Sequence, residues 1–146
     1  MGRQGTPLNR RRIAQIALGV IAVLMLPVGV QAALTPRAFY DDFPLGRAWI
    51  EREGSAYSEH LVRDVGALLL ALIIVTVWAL WRHSLARPVA TAWLVQGSVH
   101  LVYHAGHLEG YDSVDKLGLI GSLIAVPLLA IVAIWAAWSS PKEQNR

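Results

Sequence analysis

Twenty-two consecutive residues without a charge, Ile13 to Leu34, constrain this chain more than any other feature. As a helix at 1.5 Å per residue the run is about 33 Å long, enough to cross a hydrocarbon core of about 30 Å. Three further runs repeat the pattern: Leu61 to Trp81, uncharged from Val65 onward, then Val89 to Leu108, then Leu117 to Trp138. A backbone in lipid must satisfy its own polar groups, so runs of this length predict helices and exclude an open sheet. The expected fold is all-α: one membrane domain over residues 1–146, a transmembrane antiparallel four-helix bundle with spans at about 13–34, 61–81, 89–108 and 117–138.

Composition agrees, since 55% of 146 residues are apolar and only 16% are charged. With no cysteine in the chain, disulfides, thiolate metal sites and thiol catalysis are excluded. The net charge of +3 does not point to nucleic acid, because the basic residues form no polar face interleaved with aromatics. Their distribution gives a topology instead. Arg3, Arg10, Arg11, Arg12, Arg82, Arg87, Lys142 and Arg146 fall on the side of the termini with one acid, Glu143, whereas Arg37, Arg47, Arg52, Arg63 and Lys116 share the other side with nine acids. By the positive-inside rule both termini are expected to be cytoplasmic.

Between the first two spans, residues 35–58 contain Pro36, Pro44, Gly46, Gly54 and spaced aromatics, and are expected to form an extracytoplasmic cap at the membrane surface. Ser58 is suited to cap the second helix, and Ser113 or Asp112 the fourth. A competing reading takes Arg10 to Arg12, the apolar run, Pro27 and Val30-Gln31-Ala32 as a signal peptide cleaved before Ala33. The run exceeds the usual about 7 to 15 residues, which favours a retained span. Gly66-Ala67, Ala71, Gly97-Ser98, Gly118, Gly121-Ser122 and Ala125 are candidates for close helix approach, and Pro127 for a bend.

The chemistry-bearing stretch is His100-Leu-Val-Tyr-His104-Ala-Gly-His107. Spacings of four and three return to one helical stripe, so the three imidazoles are expected to share a face in the outer half of the third span. Glu59-His60-Leu-Val-Arg63-Asp64 opens the second span at a similar depth, with His60, Arg63 and Asp64 on one arc. Ionisable groups at that depth face the bundle interior or each other, because exposure to hydrocarbon costs several kcal/mol each. If the second and third spans are neighbours, His100, His104 and His107 can meet His60, Asp64 and Glu59 as a metal or cofactor site. A divalent ion, zinc or iron, suits the nitrogen and oxygen donors, and haem would need histidines on two helices. Such a site would serve redox or hydrolytic chemistry on a lipid or quinone; no catalytic residue is singled out. The alternative is a non-catalytic membrane subunit or scaffold, in a homo- or hetero-oligomer, whose polar groups form a structural network worth about 0.6 to 2 kcal/mol per contact.

The runs Phe39-Tyr-Asp-Asp-Phe-Pro44, Glu59-His-Leu-Val-Arg-Asp-Val-Gly-Ala67 and His100 to His107 resemble those of a group of small, uncharacterised four-helix membrane proteins of actinobacteria. The likeness covers about the first three spans. It implies a plasma-membrane location and carries no activity.

Overall fold

The computed structural model describes residues 7–54 and 56–138. Among them every regular element is helical: α1 (Pro7–Leu34), α2 (Pro36–Asp42), α3 (Trp49–Arg52), α4 (Glu59–Trp81), a 3-10 turn (His83–Leu85), α5 (Ala86–Ala105) and α6 (Ser113–Ala136). Three segments are long and apolar enough to cross a membrane: Asn9–Leu34, Glu59–Trp81 and Ser113–Ala136. The helix over the expected third span is not among them. Gln96, His100, Tyr103 and His104 dilute the apolar character of α5.

Local chemistry sets the boundaries. The Ser58 hydroxyl accepts from the Leu61 amide at 3.5 Å, and Glu59 lies in the first turn, where a negative charge favours a helix start. Asp112, rather than Ser113, caps α6 by accepting from the Asp115 amide at 2.8 Å, so α6 begins one turn before the apolar run. The last turn of α1 is closed from outside, as Arg63 Nη1 donates to the Ala33 carbonyl at 2.6 Å. α5 stops at Ala105, because the backbone turns at Gly106 and its amide takes the Tyr103 carbonyl. The third span was expected to run on to Leu108.

Each long helix buries a narrow stripe. On α1 it is Ala14, Ala17, Leu18 and Ile21; on α4 Gly66, Leu69, Ile73 and Thr76; on α5 Ala86, Ala90, Trp93 and Gly97; on α6 Val126, Ala130 and Ala133. Spacings of three and four make each set one face. Many other large apolar side chains, among them Val23, Leu68, Val99, Val102 and Leu128, point outward, the arrangement of helices whose other solvent is lipid. The extensive interfaces are α1 with α4, α5 with α6, and α1 with α6. Contact between α4 and α5 is slight by comparison; within it the buried Trp93 indole donates to Thr76 Oγ1 at 2.8 Å.

Two glycines permit the closest approaches. A Cβ on Gly66 would lie 2.3 Å from the Ala33 amide nitrogen, so α4 meets the backbone of α1 there. A Cβ on Gly97 would lie 3.0 Å from Pro127 Cδ, so α5 rests on the proline turn of α6. Both were expected contacts; a Cβ on Gly121 would meet nothing within 4 Å.

The antiparallel helices leave two polar ends. One gathers the start of α1, the α4–α5 turn and the end of α6. The other, the cap end, carries α2 and α3.

Candidate functional site

The cap is held down by one carboxylate. Asp115, in the first turn of α6, is 2% exposed. It takes Arg52 Nη1 at 2.7 Å on Oδ2, and the Trp49 indole at 3.0 Å together with Arg47 Nη1 on Oδ1. All three donors come from the segment in and just before α3, so the side chain that starts α6 also clamps the cap. Beside it the buried Tyr111 hydroxyl donates to the Trp49 carbonyl. Burial, then the negative charge of Glu53, pushes that phenol up to about 12, so it remains a donor through the physiological range.

One residue after Arg52, Glu53 turns inward. Its side chain is 6% exposed, and Oε1 touches His104 Nδ1, whose side chain is 12% exposed. The two atoms are close enough for an ion pair but not aligned as a hydrogen bond, and neither has a hydrogen-bond partner. The His100 ring meets His104 edge-on, with centroids 4.5 Å apart, as spacing by four on α5 dictates. Carboxylate, imidazole and imidazole thus stand in a row beneath the cap.

The other expected ligands lie elsewhere. His107 is past the end of α5, so the three histidines do not share one helical stripe. Its amide takes the His104 carbonyl at 3.0 Å, its Nδ1 contacts the Tyr103 carbonyl at 2.7 Å, and its ring stacks on Tyr103 at 4.3 Å. The residue finishes the helix and turns away from the row. On α4, His60 and Asp64 pair with each other at 3.3 Å, with side chains 83% and 56% exposed, and Glu59 pairs with Arg63 at 2.9 Å. Of the arc expected to look into the bundle, His60 and Asp64 look out of it while Arg63 reaches the Ala33 carbonyl, because the smooth Gly66 stripe is what docks on α1. No contact joins His60, Asp64 or Glu59 to His100, His104 or His107, and among the described residues no three His, Asp or Glu side chains are arranged to hold a metal ion.

The cap has its own internal order. Arg37 pairs with Asp41 at 2.7 Å and lies over the Tyr57 ring at 4.9 Å, and Tyr40 meets Tyr57 edge-on at 5.2 Å. Tyr40, Tyr57 and Tyr111 therefore make specific contacts within the cap end. Glu53, Asp115 and the two arginines that meet Asp115, Arg47 and Arg52, did not stand out in the sequence as site residues. A signal existed for Asp115: an acid entering an apolar helix, opposite a connection rich in arginine.

A family model described as "Domain of unknown function (DUF4345)" matches residues 13–106. The chain belongs to this family. Neither the curated proteins nor the solved structures provide a match. The DUF4345 match takes in α1, the cap, α4 and α5, and with them Arg47, Arg52, Glu53, His100 and His104; Tyr111, Asp115 and α6 lie beyond it.

Proposed function

We propose that the chain is a four-span plasma-membrane protein with both termini cytoplasmic, working as a non-catalytic subunit or scaffold that presents a rigid extracytoplasmic cap. Support for α5 as the fourth span comes from its interface with α6 through Gly97 and Pro127, and from the outward-facing Val95, Val99 and Val102. A helix so placed shares the environment of its neighbour. Charge asymmetry supports the orientation, and the resemblance to actinobacterial four-helix membrane proteins supports the plasma membrane.

The observation that carries the scaffold reading is the Asp115 clamp, reinforced by the local pairs Arg37–Asp41, Glu59–Arg63 and His60–Asp64. Polar groups that satisfy one another rigidify a structure. Cysteine scanning tests the arrangement, since the chain has none of its own. Leu45→Cys at the fully exposed cap tip should react with a membrane-impermeant maleimide in intact cells, and Ser84→Cys in the α4–α5 turn should react only after lysis. The opposite pattern overturns the orientation. Free reaction of Tyr111→Cys, at a position 5% exposed, in otherwise folded protein overturns the rigid cap.

A second reading is favoured by one observation, the unaligned atoms of Glu53 and His104 with His100 behind them. Two imidazoles and a carboxylate would offer zinc or iron a nitrogen and oxygen set, and a histidine would offer haem an axial ligand. His107, His60, Asp64 and Glu59 would each have to leave a present partner to join. Stoichiometric metal or haem in the purified protein, lost in a folded His104→Ala variant, would establish this reading. Protein that neither retains nor takes up metal or haem at neutral pH rules it out.

A further inference from the structure

The end of the bundle opposite the cap carries charge of one sign. Arg10, Arg11 and Arg12 lie on the first turns of α1, and Arg82 and Arg87 in and just after the α4–α5 turn. Among the described residues that end has no acid, and none of the five guanidinium groups is in an ion pair. Two are nevertheless placed. Arg10 lies over the Trp135 ring at 5.0 Å and donates through Nη2 to the Trp135 carbonyl at 2.5 Å. Arg87 lies over the Trp138 ring at 4.3 Å.

Trp135 and Trp138 are three residues apart, joined by the Trp138 amide to the Trp135 carbonyl, so both guanidinium groups stand on one ledge at the end of α6. Stacking on a ring fixes the plane of a guanidinium and leaves N–H edges free for a tetrahedral oxyanion. Arg10 Nε and His83 Nδ1 are buried with no hydrogen-bond partner. Burial, then the nearby charge of Arg11, holds His83 below its ordinary range. The ledge adjoins the ends of three apolar helices and is flanked by exposed tryptophans, which is headgroup depth whichever way the chain is inserted.

We infer that this ledge binds the phosphate of an anionic phospholipid, held by Arg10 and Arg87 on their tryptophans with Arg11 beside them. The ligand chemistry is a phosphate diester with net negative charge, recognised between α1, the α4–α5 turn and the end of α6. Basic pockets between transmembrane helices are the recurring form of such sites. A zwitterionic headgroup would bring its own ammonium into the same positive field.

Native mass spectrometry of the full chain, exchanged from detergent into mixtures of phosphatidylglycerol and phosphatidylethanolamine, tests the site. Wild-type protein should retain phosphatidylglycerol in preference. Arg10→Gln and Arg87→Gln should each weaken retention about fivefold, following roughly one headgroup-depth charge each. Arg10→Lys should keep most of the charge effect and lose the stacking, falling between. Arg37→Gln at the cap end should leave retention unchanged. Among the described residues the Arg87 guanidinium contacts the Trp138 ring and takes part in no ion pair, so Arg87→Gln reads the site even if Arg10→Gln fails to fold. Equal retention of the two lipids, or retention unaffected by Arg87→Gln, overturns the inference. Displacement of lipid by excess inorganic phosphate overturns the lipid assignment in favour of a free-phosphate site.

Discussion

The two ends of this bundle hold similar numbers of arginines in opposite circumstances. At the cap end Arg37, Arg47, Arg52 and Arg63 each meet a carboxylate of the same chain. At the other end stand five arginines, of which Arg10 meets an indole and a carbonyl and Arg87 an indole, and no described acid answers them. The same residue type is internal fastening in one place and an unmet valence in the other. An ion pair closed within the chain contributes to the fold, whereas an unpaired guanidinium at headgroup depth contributes to whatever anion it finds.

Removing both clamp arginines should sharpen this contrast most. Arg47→Ala with Arg52→Ala leaves Asp115 with the Trp49 indole alone and should lower the melting temperature more than any other change named here, read as thermal unfolding in detergent and as proteolysis within residues 35–58. Gly66→Ala drives a Cβ toward the Ala33 backbone and should cost about 1 to 3 kcal/mol by overpacking; an unchanged melting temperature would refute the close α1–α4 approach. Tyr111→Phe removes the bond to the Trp49 carbonyl and should cost about 1 to 2 kcal/mol. A phenol raised in the fold stabilises fully below its ordinary value near 10 and loses that contribution as pH climbs toward 12, so wild-type cap stability should fall over that interval. The Phe variant should lack that fall. Smallest of all, Arg87→Gln should change stability by less than about 0.5 kcal/mol. A large loss there would mean that the two ends are fastened alike.

Much of the fold was legible in the sequence because lipid imposes a single rule on long apolar runs. Ser58 and Asp112 were readable as caps, and Gly66 and Gly97 as contact points, since each acts through its immediate surroundings. The candidate site was less legible. Spacing places His100, His104 and His107 on one stripe only if the helix continues, and Gly106 ends it one residue before His107. Periodicity likewise put His60 and Asp64 on one arc without saying which arc docks, and the glycine stripe one turn further on decided that. Glu53 and Asp115 were hidden because their partners lie about half a chain away, joined by a fold-back that no local pattern encodes.

The clamp also fixes an order of events. Asp115 lies 68, 66 and 63 residues beyond Arg47, Trp49 and Arg52, the donors it receives. At synthesis rates of about 5 to 20 residues per second, the carboxylate follows its partners by roughly 3 to 14 s. During that interval Arg47 and Arg52 have no Asp115 to meet, while Arg37 already has Asp41 beside it. The last helix is therefore the key that locks a segment made long before it, and a chain that stops short of α6 would leave its cap open.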